Sequence, residues 1–295
     1  MNTVEQRGSK GNEGWPAPAK LNLFLHITGR RDDGYHSLQT VFQLLDFGDE
    51  IFFEERNSAA IELLSPLPGV NPENDLVVRA ARLLQREAGS RFGAQIRVKK
   101  RIPMGAGLGG GSSDAATTLC VLNQLWDTRF TFDDLSELGS RLGADVPVFV
   151  HGQTAWGEGV GEVLTPIEPT DAWYVVITPP VSVSTGEIFS AKELTRDCQP
   201  ITIPDFFSVP VVNVCEPVVR KKYSLVGDVL DWLNAGHRGM FAPGARLTGT
   251  GSSVFAAFSE LTAAKRVCSQ IPKDWPFFLA KGISQSPLRE RLEPN

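Results

Sequence analysis

Residues 103–116 read Pro-Met-Gly-Ala-Gly-Leu-Gly-Gly-Gly-Ser-Ser-Asp-Ala-Ala, with five glycines in the seven positions 105–111. Glycines remove the side chains that keep a ligand off the backbone. They also permit positive torsions that aim successive N–H groups at one point, which makes an anion nest. Behind the run, Ala115, Ala116, Leu119, Leu122 and Leu125 recur at helical spacing, with Ser112 or Ser113 as the expected N-cap. A helix therefore points its positive end at the nest. That end supplies about 0.3–2 kcal/mol, against about 1.5–3 kcal/mol for each charge-assisted hydrogen bond, so the backbone cradle dominates. The expected cradle is Pro103, Met104, Gly105, Ala106, Gly107, Leu108, Gly109, Gly110, Gly111, Ser112 and Ser113, with Lys100 of the preceding Lys99-Lys100-Arg101 cluster beside it.

Two common phosphate motifs do not describe this run. A Walker loop needs a lysine before its Ser/Thr, and none stands there. Gly105-Ala106-Gly107-Leu108-Gly109-Gly110 does spell G-x-G-x-x-G, but the strand expected at residues 95–99 lies in mid-chain and alternates, rather than opening a βαβ unit.

The rest of the chain is that of an ordinary globular protein. At 295 residues with 42% hydrophobic and 21% charged residues it has material for two domains. A net charge of −5 without a long basic cluster argues against a nucleic-acid surface. Cys120, Cys198, Cys215 and Cys268 form no C-x-x-C pair and the four histidines no H-E-x-x-H, so neither a disulfide framework nor a metal site is expected. No apolar run approaches 18 residues and the first fourteen residues do not read as a leader, which makes a cytoplasmic location without membrane association the expectation.

Residues 20–28 alternate, with Leu21, Leu23, Leu25 and Ile27 on one face of a strand and Lys20, Asn22, Phe24 and His26 on the other. Strands are further expected near 38–44, 50–55, 95–99, 173–177, 253–258 and 277–281, and helices over 75–88, from 113, from 131, and over 228–234 and 261–270. The helix from Thr131 ends at Gly143. Pro147 keeps residues 144–147 from continuing it, so Asp145 is expected in a fixed connection. The composition changes near 165–172, dividing the chain into 1–168 and 169–295. A second glycine segment, Leu247-Thr248-Gly249-Thr250-Gly251-Ser252-Ser253, reads as a bulge or hairpin entry.

Taken together, Pro18-Ala19-Lys20-Leu21-Asn22-Leu23, residues 103–116 and residues 247–253 resemble the GHMP small-molecule kinases. The likeness extends through Ile27-Thr28-Gly29-Arg30-Arg31-Asp32-Asp33-Gly34-Tyr35-His36 and Leu142-Gly143-Ala144-Asp145-Val146-Pro147. Those two stretches are most similar to the branch whose acceptor carries a CDP group, in non-mevalonate isoprenoid synthesis. The resemblance implies an α+β two-domain fold, an S5-like N-terminal domain against a ferredoxin-like C-terminal domain. It implies ATP, accompanied by Mg²⁺, as phosphoryl donor to the 2-hydroxyl of a methylerythritol unit.

By the same resemblance Asp145 orients or deprotonates the acceptor hydroxyl, and Lys20 holds that carboxylate ionised. Asn22, Tyr35, His36, Phe189, Thr250 and Gly251 are expected to bind the acceptor, with Tyr35 and Phe189 enclosing a cytosine that His36 reads. Asp75 replaces the asparagine usual near the adenine, and Asp114 sets a carboxylate in the first helical turn, where it either turns away from phosphate or meets it through magnesium. Competing readings are a GHMP kinase for mevalonate, homoserine or a sugar, and a non-catalytic nucleotide sensor. Oligomeric state stays open, a homodimer included.

Overall fold

The computed structural model describes residues 13–32, 34–67, 69–236, 239 and 244–293. Asp33, from the stretch ending at His36, and residues 1–12 lie outside the described residues. In the first half, strands β1 (Trp15–Arg30), β2 (His36–Arg56) and β3 (Ile61–Leu63) precede helix α1 (Leu76–Ala88) and β4 (Gly93–Lys99). Helices α2 (Gly110–Leu125), α3 (Phe132–Ser140) and α4 (Val146–His151) follow, then β5 (Ala155–Glu158) and β6 (Val163–Pro166). The second half runs β7 (Trp173–Ile177), α5 (Thr185–Phe189), α6 (Ile203–Ser208), α7 (Glu216–Lys222), α8 (Ser224–Gly236), β8 (Arg246–Leu247), β9 (Val254–Phe258), α9 (Leu261–Cys268), β10 (Phe277–Ile283) and α10 (Pro287–Leu292).

The strands join along the order β3-β4-β2-β10-β7-β9-β8, with β1 and β5 also pairing to β2. The expected division near residue 168 falls between β6 and β7. The chain recrosses it at its end, because β10 pairs with β7 on one side and with Leu44 and Leu45 of β2 on the other. Leu288 of α10 then packs into the core of the first half, beside Leu119, Leu122 and Phe149.

Two local expectations change. The strands expected at 38–44 and 50–55 are one strand, because Gly48 and Asp49 stay in the ladder against Pro18 and Ala17 and a register shift between Pro18 and Lys20 takes up Asp46 and Phe47. Gly48 pairs with Pro18, and a Cβ there would stand 2.3 Å from the Ala17 carbonyl oxygen. The alternation of β1 breaks at a bulge between Asn22 and Leu25. Phe24 consequently joins Leu21 and Leu23 in one apolar cluster, stacking on Phe206 at 5.6 Å, while Leu25 and Ile27 pass into the core of the second half.

Helix α1 begins at Leu76 because the Asp75 carboxylate accepts from the Val77 amide at 2.8 Å, and it ends at Gly89, whose φ is 60°. Its buried face, which includes Val77, Ala80, Ala81 and Leu84, packs on α2, the helix that follows the glycine loop.

If α10 is a fixed part of the first half's core, Leu288→Ala is expected to lower unfolding free energy by about 2–5 kcal/mol. Urea denaturation measures it, and an unchanged midpoint would detach α10 from that core.

Candidate active site

The glycine loop meets the second half of the molecule directly. Gly105, Gly107 and Gly109 adopt φ of 64°, 77° and 72°, the alternating positive torsions expected of a nest. A Cβ on Gly107 would lie 2.4 Å from the Thr248 carbonyl oxygen. The second glycine segment is a hairpin loop, since Leu247 of β8 pairs with Val254 of β9. It is tied to the first by Ser253 N–H to Ala106 O at 3.1 Å.

Helix α2 starts earlier than expected. Gly109 is its N-cap, with no side chain capping the first turn, so the amides there are left for a ligand. Neither Ser112 nor Ser113 caps it, because both already lie within the helix. Ser112 reaches the cleft, whereas Ser113 is fully buried with its hydroxyl unpartnered among the described residues.

Lys20 and Asp145 come together although 125 positions separate them, Nζ to Oδ2 being 3.1 Å. Lys20 Nζ also donates to Asn22 Oδ1 at 2.6 Å, and Asn22 Nδ2 donates to the Thr40 hydroxyl at 2.9 Å, which donates in turn to Phe24 O. The backbone is pinned as well, with Lys20 N–H on Leu108 O and Asn22 N–H on the Thr248 hydroxyl. A Cβ on Gly109 would come within 3.1 Å of Lys20 Cε and 2.8 Å of the Phe149 ring. The loop's glycine thus makes room for the lysine. Asp145 is the residue before α4, which Pro147 opens at its second position, and a third of its side chain faces the cleft.

That cleft encloses about 710 Å³. Gly107, Gly109, Ser112, Lys20 and Asp145 line one end, and Tyr35, His36 and Phe189 the other, with Asn22, Thr185 and Thr250 between. The His36 and Phe189 rings lie 5.4 Å apart at 31°, and Tyr35 is 65% exposed at the mouth. His36 is held below the ordinary imidazole value by burial first, then by the Arg196 and Arg30 guanidinium groups. Arg196 and Arg30 both line the cleft and were not singled out in the sequence. Gly249, rather than Gly251, occupies the wall beside Thr250. The Gly251 amide is spent inside the hairpin on Thr248 O at 2.9 Å.

Lys100 is committed elsewhere. Its Nζ bonds Asp49 at 2.5 Å and Asp114 at 2.7 Å, behind the loop, so the charge expected to face phosphate is already engaged. Burial lowers the Lys100 value, Asp114 and Asp49 raise it, and the net shift is upward. Asp49 fixes the chain entering the loop by accepting from the Arg101 and Ile102 amides.

Asp114 is the fifth residue of α2, not a first-turn residue, and points away from the nest. Burial pushes it up to about 7, with Lys100 opposing and Asp49 adding to the rise. One lysine serves two buried carboxylates there. Met104 is 60% exposed at the rim. Asp75 is occupied with capping α1. Among the described residues no group of three or more His, Cys, Asp or Glu side chains is arranged to hold a metal, and no helix is long and apolar enough to cross a membrane.

Comparison with known proteins gives the same architecture. Residues 75–153 match the GHMP kinases N terminal domain and residues 206–276 the GHMP kinases C terminal domain. A 4-diphosphocytidyl-2-C-methyl-D-erythritol kinase from Nitrosococcus oceani is 54% identical over 279 residues, 95% of this chain and 98% of that protein. The crystal structure of a 4-(cytidine 5'-diphospho)-2C-methyl-D-erythritol kinase superposes with a TM-score of 0.78 at 31% identity, over 90% of this chain and 98% of that one. A homoserine kinase from Cytophaga hutchinsonii shares the fold, with a TM-score of 0.62 at 17% identity, over 96% and 98% of the two chains.

The buried triad behind the loop has a pH signature. The unfolded chain releases the Asp114 proton near 3.8 and the folded protein near 7, so this group's contribution to stability is full below 3.8 and is lost as pH rises to about 7. Asp114→Asn is expected to flatten that dependence in denaturant titrations at pH 5 and pH 7.5. An identical slope in both proteins would contradict the raised value.

Proposed function

The chain belongs to the GHMP kinases and, within them, to the 4-diphosphocytidyl-2-C-methyl-D-erythritol kinases, and on that premise we propose that its cleft transfers the γ-phosphoryl group of ATP to the 2-hydroxyl of 4-diphosphocytidyl-2-C-methyl-D-erythritol. The products are the 2-phosphate and ADP. The observation that carries this reading is the Lys20–Asp145 pair, 3.1 Å apart between an uncapped helix start and an aromatic pocket. A nucleotide sensor would need the cradle but not a carboxylate held at its edge by a buried lysine.

Phosphoryl transfer asks little covalent chemistry of the protein and much positioning. The amides of Gly110, Gly111 and Ser112 would hold the ATP phosphates. Those first-turn amides have no side-chain cap, and Gly107 and Gly109 let the loop pack closely against Thr248, Phe149 and Lys20. Mg²⁺ bound to ATP would screen the phosphate charge as part of the donor. Asp114 bonds Lys100 through Oδ2 on the far side of the loop, and its buried Oδ1 has no partner among the described residues.

Asp145 accepts the hydroxyl proton as the oxygen attacks phosphorus. Lys20 keeps the carboxylate in place and balances the charge that builds between hydroxyl and phosphate. Asn22 fixes the lysine in turn. The aromatic end would receive the cytosine, whose flat face stacks on a ring for about 1–3 kcal/mol, and the span between the two ends accommodates the diphosphate and the methylerythritol chain.

Asp145→Asn keeps the size of the side chain and removes the base. It is expected to lower kcat by about 10²–10⁴, with nucleotide affinity held within a few-fold by isothermal titration. Turnover within a few-fold of the parent would remove Asp145 from the chemical step.

A further inference from the structure

Arg196 stands 160 positions from His36 in sequence, yet its Nε–H donates to His36 Nε2 at 3.1 Å. The guanidinium is fixed by three other bonds, from Nη1 to Leu194 O at 3.0 Å and from Nη2 to Phe189 O at 2.9 Å and Ala191 O at 2.7 Å. Four of its five N–H groups are therefore used, and the fork cannot swing away without breaking them.

A guanidinium only donates. Its bond to Nε2 requires a lone pair on that nitrogen, and a neutral imidazole with a lone pair on Nε2 carries its proton on Nδ1. Nδ1 has no partner among the described residues, and the ring forms part of the cleft wall against Phe189. Burial and the two cations facing the ring, Arg196 and Arg30, all oppose the imidazolium.

From this geometry we propose that Arg196 is a positioning residue that locks His36 as the Nδ1–H tautomer, so that the ring offers the base a donor and never an acceptor. The consequence for specificity rests on the cytosine reading given above. Cytosine presents an acceptor at N3, where uracil presents N–H. A ring restricted to donation complements the first and leaves two donors opposed with the second, a mismatch that discriminates far better than shape. Stacking between Tyr35 and Phe189 cannot make that distinction, because both pyrimidines have the same flat face.

The test has two arms on the full-length protein. In long-range ¹H–¹⁵N NMR at pH 7.5, with His36 assigned by its loss in His36→Asn, the unliganded protein is expected to show a protonated Nδ1 and an unprotonated Nε2. Arg196→Met is expected to shift that ring toward Nε2–H. In competition against the CDP-linked substrate, CMP is expected to outcompete UMP, and Arg196→Met to reduce that preference at least tenfold.

Arg196→Lys retains a donor. It is expected to restore part of both the tautomer and the preference, which loss of the loop's carbonyl ties alone would not do. A protonated Nε2 in the parent protein, or an unchanged tautomer and preference in Arg196→Met, would overturn the proposal. Equal competition by CMP and UMP in the parent would instead overturn the cytosine reading, with the NMR arm still deciding the tautomer.

Discussion

A lysine side chain left 4% exposed must be met by opposite charge or by acceptors, and Lys20 is met by both, through Asp145 and Asn22. Much of the surrounding structure serves that meeting. The bulged strand β1 brings Lys20 and Asn22 to the floor of the cleft, Gly109 gives the stem its space, and Pro147 opens α4 so that Asp145 stands in front of it. Removing Asp145 would leave the buried Lys20 charge without its counter-charge, so the pair fixes a geometry as much as it joins two side chains.

The two halves of the chain divide the work around this pair. The first half supplies the nest and Asp145, and the second closes over them through the 247–253 hairpin, whose carbonyls and hydroxyls touch Gly107 and Asn22. Strand β10 holds the halves in register by pairing with both β2 and β7. Behind the nest, Asp49, Lys100 and Asp114 form a buried cluster that anchors the entry to the loop and the helix after it. The nest is consequently held from the front by one half and from behind by the Lys100 contacts.

Local signals carried much of this. The alternation of β1, the glycine torsions, the hairpin at 247–253 and the break before Asp145 all arise from short-range sterics, and each is readable from neighbouring residues. What escaped the sequence depends on distant partners. Lys100 looked free for phosphate because Asp49 lies 51 positions away, and Arg196 sat in an irregular stretch with no periodicity to mark it as the neighbour of His36. Ser112 and Ser113 drew the N-cap forward because serine is a common cap, whereas the left-handed torsion of Gly109 had already started the helix. Gly249 and Gly251 belong to one short turn, and only the fold says which of them lines the cleft and which amide is spent. The bulge in β1 likewise lacks a local mark, and it moved Phe24 into the core with Leu21 and Leu23.

The proposed chemistry is phosphoryl transfer to an acceptor recognised through its cytidine end. The most direct measurement is ADP release by the purified protein with MgATP and 4-diphosphocytidyl-2-C-methyl-D-erythritol, set beside mevalonate and homoserine at equal concentration. Turnover is expected with the CDP-linked alcohol alone, with ³¹P NMR showing a new phosphomonoester on its 2-oxygen. Comparable turnover with mevalonate or homoserine, or ADP release that does not depend on any acceptor, would contradict it.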